Sequence, residues 1–81
     1  MKNHYKIIAW KWNKKEYEPT LLLDSRFSEG GISKEEMMKS FNKTKLSMDI
    51  ARIELIEYVT EQCQGIDIPT GEEELIAEKD F

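Results

Sequence analysis

LSMDIARIELIEYVTEQCQ, residues 46–64, is the stretch on which the fold turns. Ile50, Ile53, Ile56, Val59 and Cys63 recur in it at steps of three and four, the period of one helix face. Gly65 follows where a helix C-cap belongs. The spacing predicts a helix over Leu46–Gln64. Met48 and Leu55 widen its apolar arc enough to pack on its own sheet and on a second molecule. A two-fold homodimer through this helix is the simplest such arrangement.

Upstream, Ser33-Lys34-Glu35-Glu36 has the form of a capping box, and a helix with Met37, Met38 and Phe41 inward is expected after it. Asn42-Lys43-Thr44-Lys45 separates that helix from the long one, although one continuous helix is the alternative. Ser28-Glu29-Gly30-Gly31 breaks the pattern before it. Further back, His4–Asn13 reads as a strand with Lys6, Ile8, Trp10 and Trp12 on one face and Tyr5, Ile7, Ala9 and Lys11 on the other. Asn13–Glu16 suits a hairpin loop. Tyr17–Phe27 follows as a second strand, with Tyr17, Leu21, Leu23 and Phe27 inward, Asp24 outward, and Pro19 marking an edge.

Downstream, Ile66-Asp67-Ile68-Pro69 alternates briefly, as a short strand would. Thr70-Gly71-Glu72-Glu73 offers a second capping box and a short helix through about Glu78. The expectation is a small single α+β domain spanning 1–81, an antiparallel β-hairpin packed on two helices (β-β-α-α) with a short C-terminal strand or helix.

At 81 residues the chain buries only roughly 60–65% of its unfolded surface, so a partner or second copy would add stability. Charged residues make up 35% of it, against about 25% in ordinary domains. No apolar run approaches the roughly 20 residues that span a bilayer, no secretory signal is visible, and Cys63 has no disulfide partner. A cytoplasmic protein with a buried structural thiol is therefore expected. The net charge of -4 conceals two unlike halves. Residues 1–45 hold 10 basic and 6 acidic side chains, whereas residues 46–81 hold 2 basic and 10 acidic. The two halves can attract each other across the fold, or each can serve a partner.

Two functional readings follow. Asp49, Glu54, Glu57, Glu61, Glu72, Glu73, Glu74, Glu78 and Asp80 could form a negative surface for a protein with a basic groove. This is the leading expectation: a non-enzymatic interaction or regulatory protein. In size and composition it is similar to accessory proteins and inhibitors of phages and mobile elements. The alternative is nucleic-acid binding by Trp10, Lys11, Trp12, Lys14 and Lys15, where aromatic rings could stack bases while ammonium groups meet phosphates. Trp10–Trp12, then Gly30-Gly31-Ile32-Ser33-Lys34-Glu35-Glu36, loosely resemble the arm-type DNA-binding domain of phage integrases. That resemblance covers under half the chain and implies aromatic strands followed by a helix on DNA.

Nothing supports catalysis, a cofactor or a metal. His4 is the only histidine, with no Ser or Cys at useful spacing, and is expected at the surface. Glu72, Glu73 and Glu74 are adjacent and point apart. Gly30-Gly31 lacks the lysine of a phosphate loop and reads as a turn.

Overall fold

The computed structural model describes residues 1–28 and 30–80. Glu29, within the expected break Ser28–Gly31, and Phe81 lie outside the described residues. The elements are β1 (Lys2–Trp12), β2 (Tyr17–Asp24), a 3-10 turn at Ser25–Phe27, α1 (Lys34–Lys43), β3 (Ile50–Cys63) and β4 (Ile66–Asp80). The strands form one antiparallel sheet in the order β2-β1-β3-β4.

This corrects the β-β-α-α expectation. Residues 50–63 are not a helix but a central strand between β1 and β4. Their apolar side chains alternate across the sheet: Ile53 and Leu55 lie opposite Ala9 and Ile7, while Ile56 and Tyr58 lie opposite Lys6 and His4. This strand is flanked by a neighbour on each edge and carries apolar residues on both faces, so a subset of them falls at helical steps. The helix-borne dimer surface expected over Leu46–Gln64 therefore does not exist. Gly65 is no helix cap. With Gln64 it forms a two-residue hairpin loop, both residues at positive φ (52° and 81°), the requirement of a type I′ turn.

The C-terminal expectation is corrected as well, since Ile66–Asp80 is one strand and contains no helix. Thr70 Oγ1 accepts the N–H of Glu72, two residues on rather than three, and donates to the carbonyl of Val59. This makes a turn within the edge strand. Pro69, Gly71 and the irregular register between Tyr58 and Thr60 blunt that edge against pairing with other chains.

The first helix forms as expected. Ser33 Oγ accepts the N–H of Glu36 at 3.2 Å, and Thr44 closes the far end on the carbonyls of Ser40 and Phe41. Met37 and Phe41, four residues apart, are buried, and Met38 is half-buried. Ser33→Ala should cost about 1 kcal/mol in urea unfolding by loss of the cap. A stability unchanged within error would show that the hydroxyl contributes nothing.

Because β2 and β3 both pair antiparallel with β1, they run parallel to each other and their connection must cross a sheet face. α1 lies in that crossover. It packs on Ile7, Ala9, Ile53 and Leu55, all nearly inaccessible to solvent. Ten helical residues span about 15 Å, whereas the 14- and 15-residue strands run on the order of 45 Å, so α1 covers only the middle of its face. The resemblance to the integrase arm domain fails on topology, because two strands follow the helix.

In β2 the expected inward set breaks up. Leu22 is a bulge: Leu23 stays opposite Ile7, toward α1, but Leu21 falls opposite Ile8, on the other face. Tyr17, Leu21 and Phe27 are exposed, and Asp24, expected outward, is buried.

Candidate functional site

Among the described residues, no element is laid over the centre of the sheet face away from α1. Cross-strand partners share a face, and successive rows there are Trp12 with Tyr17, then Pro19, Trp10, Arg52 and Asp80, then Leu21, Ile8, Glu54 and Glu78, then Asp24, Lys6, Ile56 and Leu75. Trp12, Tyr17, Leu21 and Leu75 are between 45% and 50% exposed. Ile8, Trp10 and Ile56 are half-buried among the surrounding side chains. A solvated antiparallel face ordinarily alternates to polar residues. Here it is apolar along the middle with charges along the β3–β4 side.

Those charges form a network. Trp10 Nε1 donates to Glu54 at 2.6 Å. The Arg52 guanidinium meets Glu54 at 3.3 Å, Glu78 more closely, and Asp80 at 4.0 Å. Lys6 Nζ bonds Glu73 at 2.6 Å and stands 5.0 Å from the centroid of the Tyr58 ring. The network holds four carboxylates against two cations, so this side of the face is negative.

The expected acidic surface is thus divided. Glu54, Glu73, Glu78 and Asp80 share the open face. Glu57 lies on the α1 side beyond the helix, where it accepts from Asn3 Nδ2 at 2.9 Å and borders a recess of about 330 Å³ with Glu72, Glu73 and Glu74. Glu61 is exposed toward the tip of the β3–β4 hairpin, and Asp49 precedes β3, its carbonyl taking the Trp12 N–H at 2.7 Å. No group of three or more His, Cys, Asp or Glu among the described residues could hold a metal ion. No helix among them is long and apolar enough to cross a membrane.

The alternative nucleic-acid set is divided too. The Trp10 indole N–H is engaged by Glu54, with Glu78 and Asp80 close by through Arg52. Trp12 lies against Tyr17, ring centroids 5.1 Å apart, and Lys11, Lys14 and Lys15 are exposed around that hairpin end. Asn13 Oδ1 holds the loop by accepting the N–H groups of Lys15 and Glu16.

Sequence reasoning missed a polar cluster at the other end of the open face. Tyr58 Oη donates to Asp24 Oδ1 at 2.5 Å, both residues buried. Asp24 also accepts the N–H of Arg26, whose guanidinium lies 5.7 Å from the Tyr58 centroid. Burial, then the bond to Asp24 and its charge, push the Tyr58 phenol well above its ordinary pKa of 10.0. His4, expected at the surface, is half-buried, its Nε2 3.0 Å from Thr60 Oγ1. Cys63, expected buried on a helix, is exposed near the tip of β3. The only signal for this cluster was aromatic and β-branched enrichment in residues 56–60, which favours strand over helix.

Comparison of the chain with protein-family models, with curated proteins and with solved structures finds no match.

Proposed function

We propose that the protein is a non-catalytic binding protein that regulates or inhibits another protein by docking the open face of its sheet onto it. The observation that supports this reading is the uncovered apolar band Trp12–Tyr17–Leu21–Leu75, bordered by the negative network of Glu54, Glu73, Glu78 and Asp80. Contiguous apolar surface rimmed by polar groups marks an interaction site. Aromatic anchors such as Trp12 and Tyr17 supply much contact area with few rotatable bonds. The carboxylate excess selects a partner whose surface is apolar at its centre and basic at one border, and would steer its approach. The same carboxylates beneath Trp10 repel phosphates, so the reading excludes a nucleic-acid backbone across this face.

A photoreactive residue at position 22, beside the band, should cross-link a protein in the source cells, and the interaction can then be measured with purified components. Leu21→Asp together with Leu75→Asp should weaken it on the order of 100-fold, with the fold intact by circular dichroism. Affinity should also fall as salt is raised. A purified partner that binds the double variant as tightly as the wild type overturns the proposal.

A further inference from the structure

A second site lies at the corner where β1 outruns β2. Pairing of the two strands ends at Lys6 opposite Asp24, and the next inward-pointing N–H of β1, that of Tyr5, is taken by Ser25 Oγ at 2.9 Å. Strand alternation aims the main-chain N–H and C=O of Asn3 to the same side, where no strand answers them. A cavity of about 510 Å³ lies there, lined by Ser25, Arg26, Ser28, Gly30, Gly31 and Ile32 together with residues of β1. That is within the range of small-molecule sites.

The cavity is lined by Lys2, His4, Arg26 and Ser28, by the Gly30-Gly31 backbone, and by Asp67 as its one acidic side chain among the described residues. Among the described residues, two permanent cations thus line the cavity with one carboxylate, in a chain of net charge -4. Arg26 is held between aromatic rings, 4.5 Å from the Phe27 centroid and 5.7 Å from that of Tyr58. Its Nε is buried without a hydrogen-bond partner, and it forms no ion pair among the described residues. A buried charged donor left unmatched is costly unless something binds it. Gly30 and Gly31 stand at φ +75° and +76°, and the space a Cβ would take at either is open. The Gly31 N–H is used by the carbonyl of Ser28 at 2.9 Å.

We propose that this cavity binds a small phosphorylated metabolite that also carries hydroxyl groups. Lys2 and Arg26 both line it, and two cationic donors suit a phosphate, whose several oxygens can accept from each, better than a single carboxylate. Asn3 contributes a backbone donor. Asp67, 3.9 Å from His4 Nε2, would repel a bare anion but accepts from a ligand hydroxyl. The site lies beyond the apolar band of the open face, so a ligand here and a protein partner there would touch different residues.

The test is a titration of the 15N-labelled protein with ribose 5-phosphate and separately with inorganic phosphate, against sodium chloride at matched ionic strength. Saturable shifts of the Asn3, Gly30 and Gly31 amides are expected with ribose 5-phosphate, and weaker binding with inorganic phosphate. Lys2→Gln and Arg26→Gln should each weaken binding on the order of tenfold, as loss of a charge-assisted hydrogen bond does. If Arg26→Gln does not fold, Lys2→Gln alone decides, since Lys2 is exposed at the chain's start. Shifts no larger than those with chloride up to about 10 mM, tenfold above a Kd of roughly 1 mM, overturn the proposal. Binding unaltered in the variants does so too.

Discussion

Leu55→Ala should destabilise the protein by about 2–5 kcal/mol in urea unfolding, and Ile56→Ala, one residue along, by less than half as much. Leu55 is fully buried beneath α1 with Ile7, Ile53 and Met37, so truncation opens a cavity that this small core has little means to refill. Ile56 points to the open face and is only half-buried. A helix over residues 46–64 would reverse the order, because Ile56 lies on the stripe Ile50–Ile53–Ile56–Val59 and Leu55 at its margin. The pair therefore reports which periodicity the chain obeys. An Ile56→Ala cost above that of Leu55→Ala would contradict the sheet.

Tyr58→Phe should cost about 1–3 kcal/mol near neutral pH, because it strips a buried carboxylate of its strongest donor. Asp24 keeps only the N–H of Arg26. The pH dependence has a definite sign. The phenol's pKa is raised on folding, so its contribution is complete below the unfolded value of 10.0 and is lost as pH climbs above it. Above about pH 10 the unfolded state releases a proton that the native state keeps, and the stability advantage over Tyr58→Phe should shrink by up to roughly 1.4 kcal/mol per pH unit. Unfolding curves of both proteins between pH 7 and 11 measure this. A constant difference across that range would show that Tyr58 ionises as freely folded as unfolded.

Local chemistry was legible in the sequence where a single signal admitted a single structure. Ser33 and Glu36 mark a helix start whatever surrounds them, and Met37 and Phe41 are spaced for one helical face. The alternation along residues 5–12 likewise separates the two faces of β1, although it does not tell that Tyr5, Ile7 and Ala9 rather than Trp10 and Trp12 face the helix. Residues 46–64 failed because their signals are degenerate. With apolar residues on both of its faces, at 53, 55, 56, 58 and 59, the strand offers a set from which a helical stripe can be selected. Gly65 at positive φ serves a helix cap and a type I′ turn equally. The β-branched side chains of Ile50, Ile53, Ile56, Val59 and Thr60 were the discriminating feature.

Of the functional surface, the sequence showed the carboxylates but not their distribution. Neighbours along a strand go to opposite faces, so Glu73, opposite Tyr58, joins Lys6 on the open face while Glu74 lies opposite Glu57 on the α1 side, and Glu72, Glu73 and Glu74 all border the recess near Glu57. The bulge at Leu22 sends Leu21 and Leu23 to different faces and turns Asp24 toward Tyr58, a displacement no alternation pattern foretells. The attraction between the basic and acidic halves is partly realised within the fold, through Lys6 with Glu73.

Residues 50–63 create the open face only by forming the strand between β1 and β4. The Tyr5 N–H points away from β3 to Ser25, so Tyr5–Glu57 and Ile7–Leu55 are close, non-hydrogen-bonded pairs, with Cα atoms about 4.5 Å apart. Nuclear Overhauser spectra should show Hα–Hα cross-peaks for both pairs. Their absence, with Hα to amide contacts three residues apart running through residues 50–63, would contradict the strand.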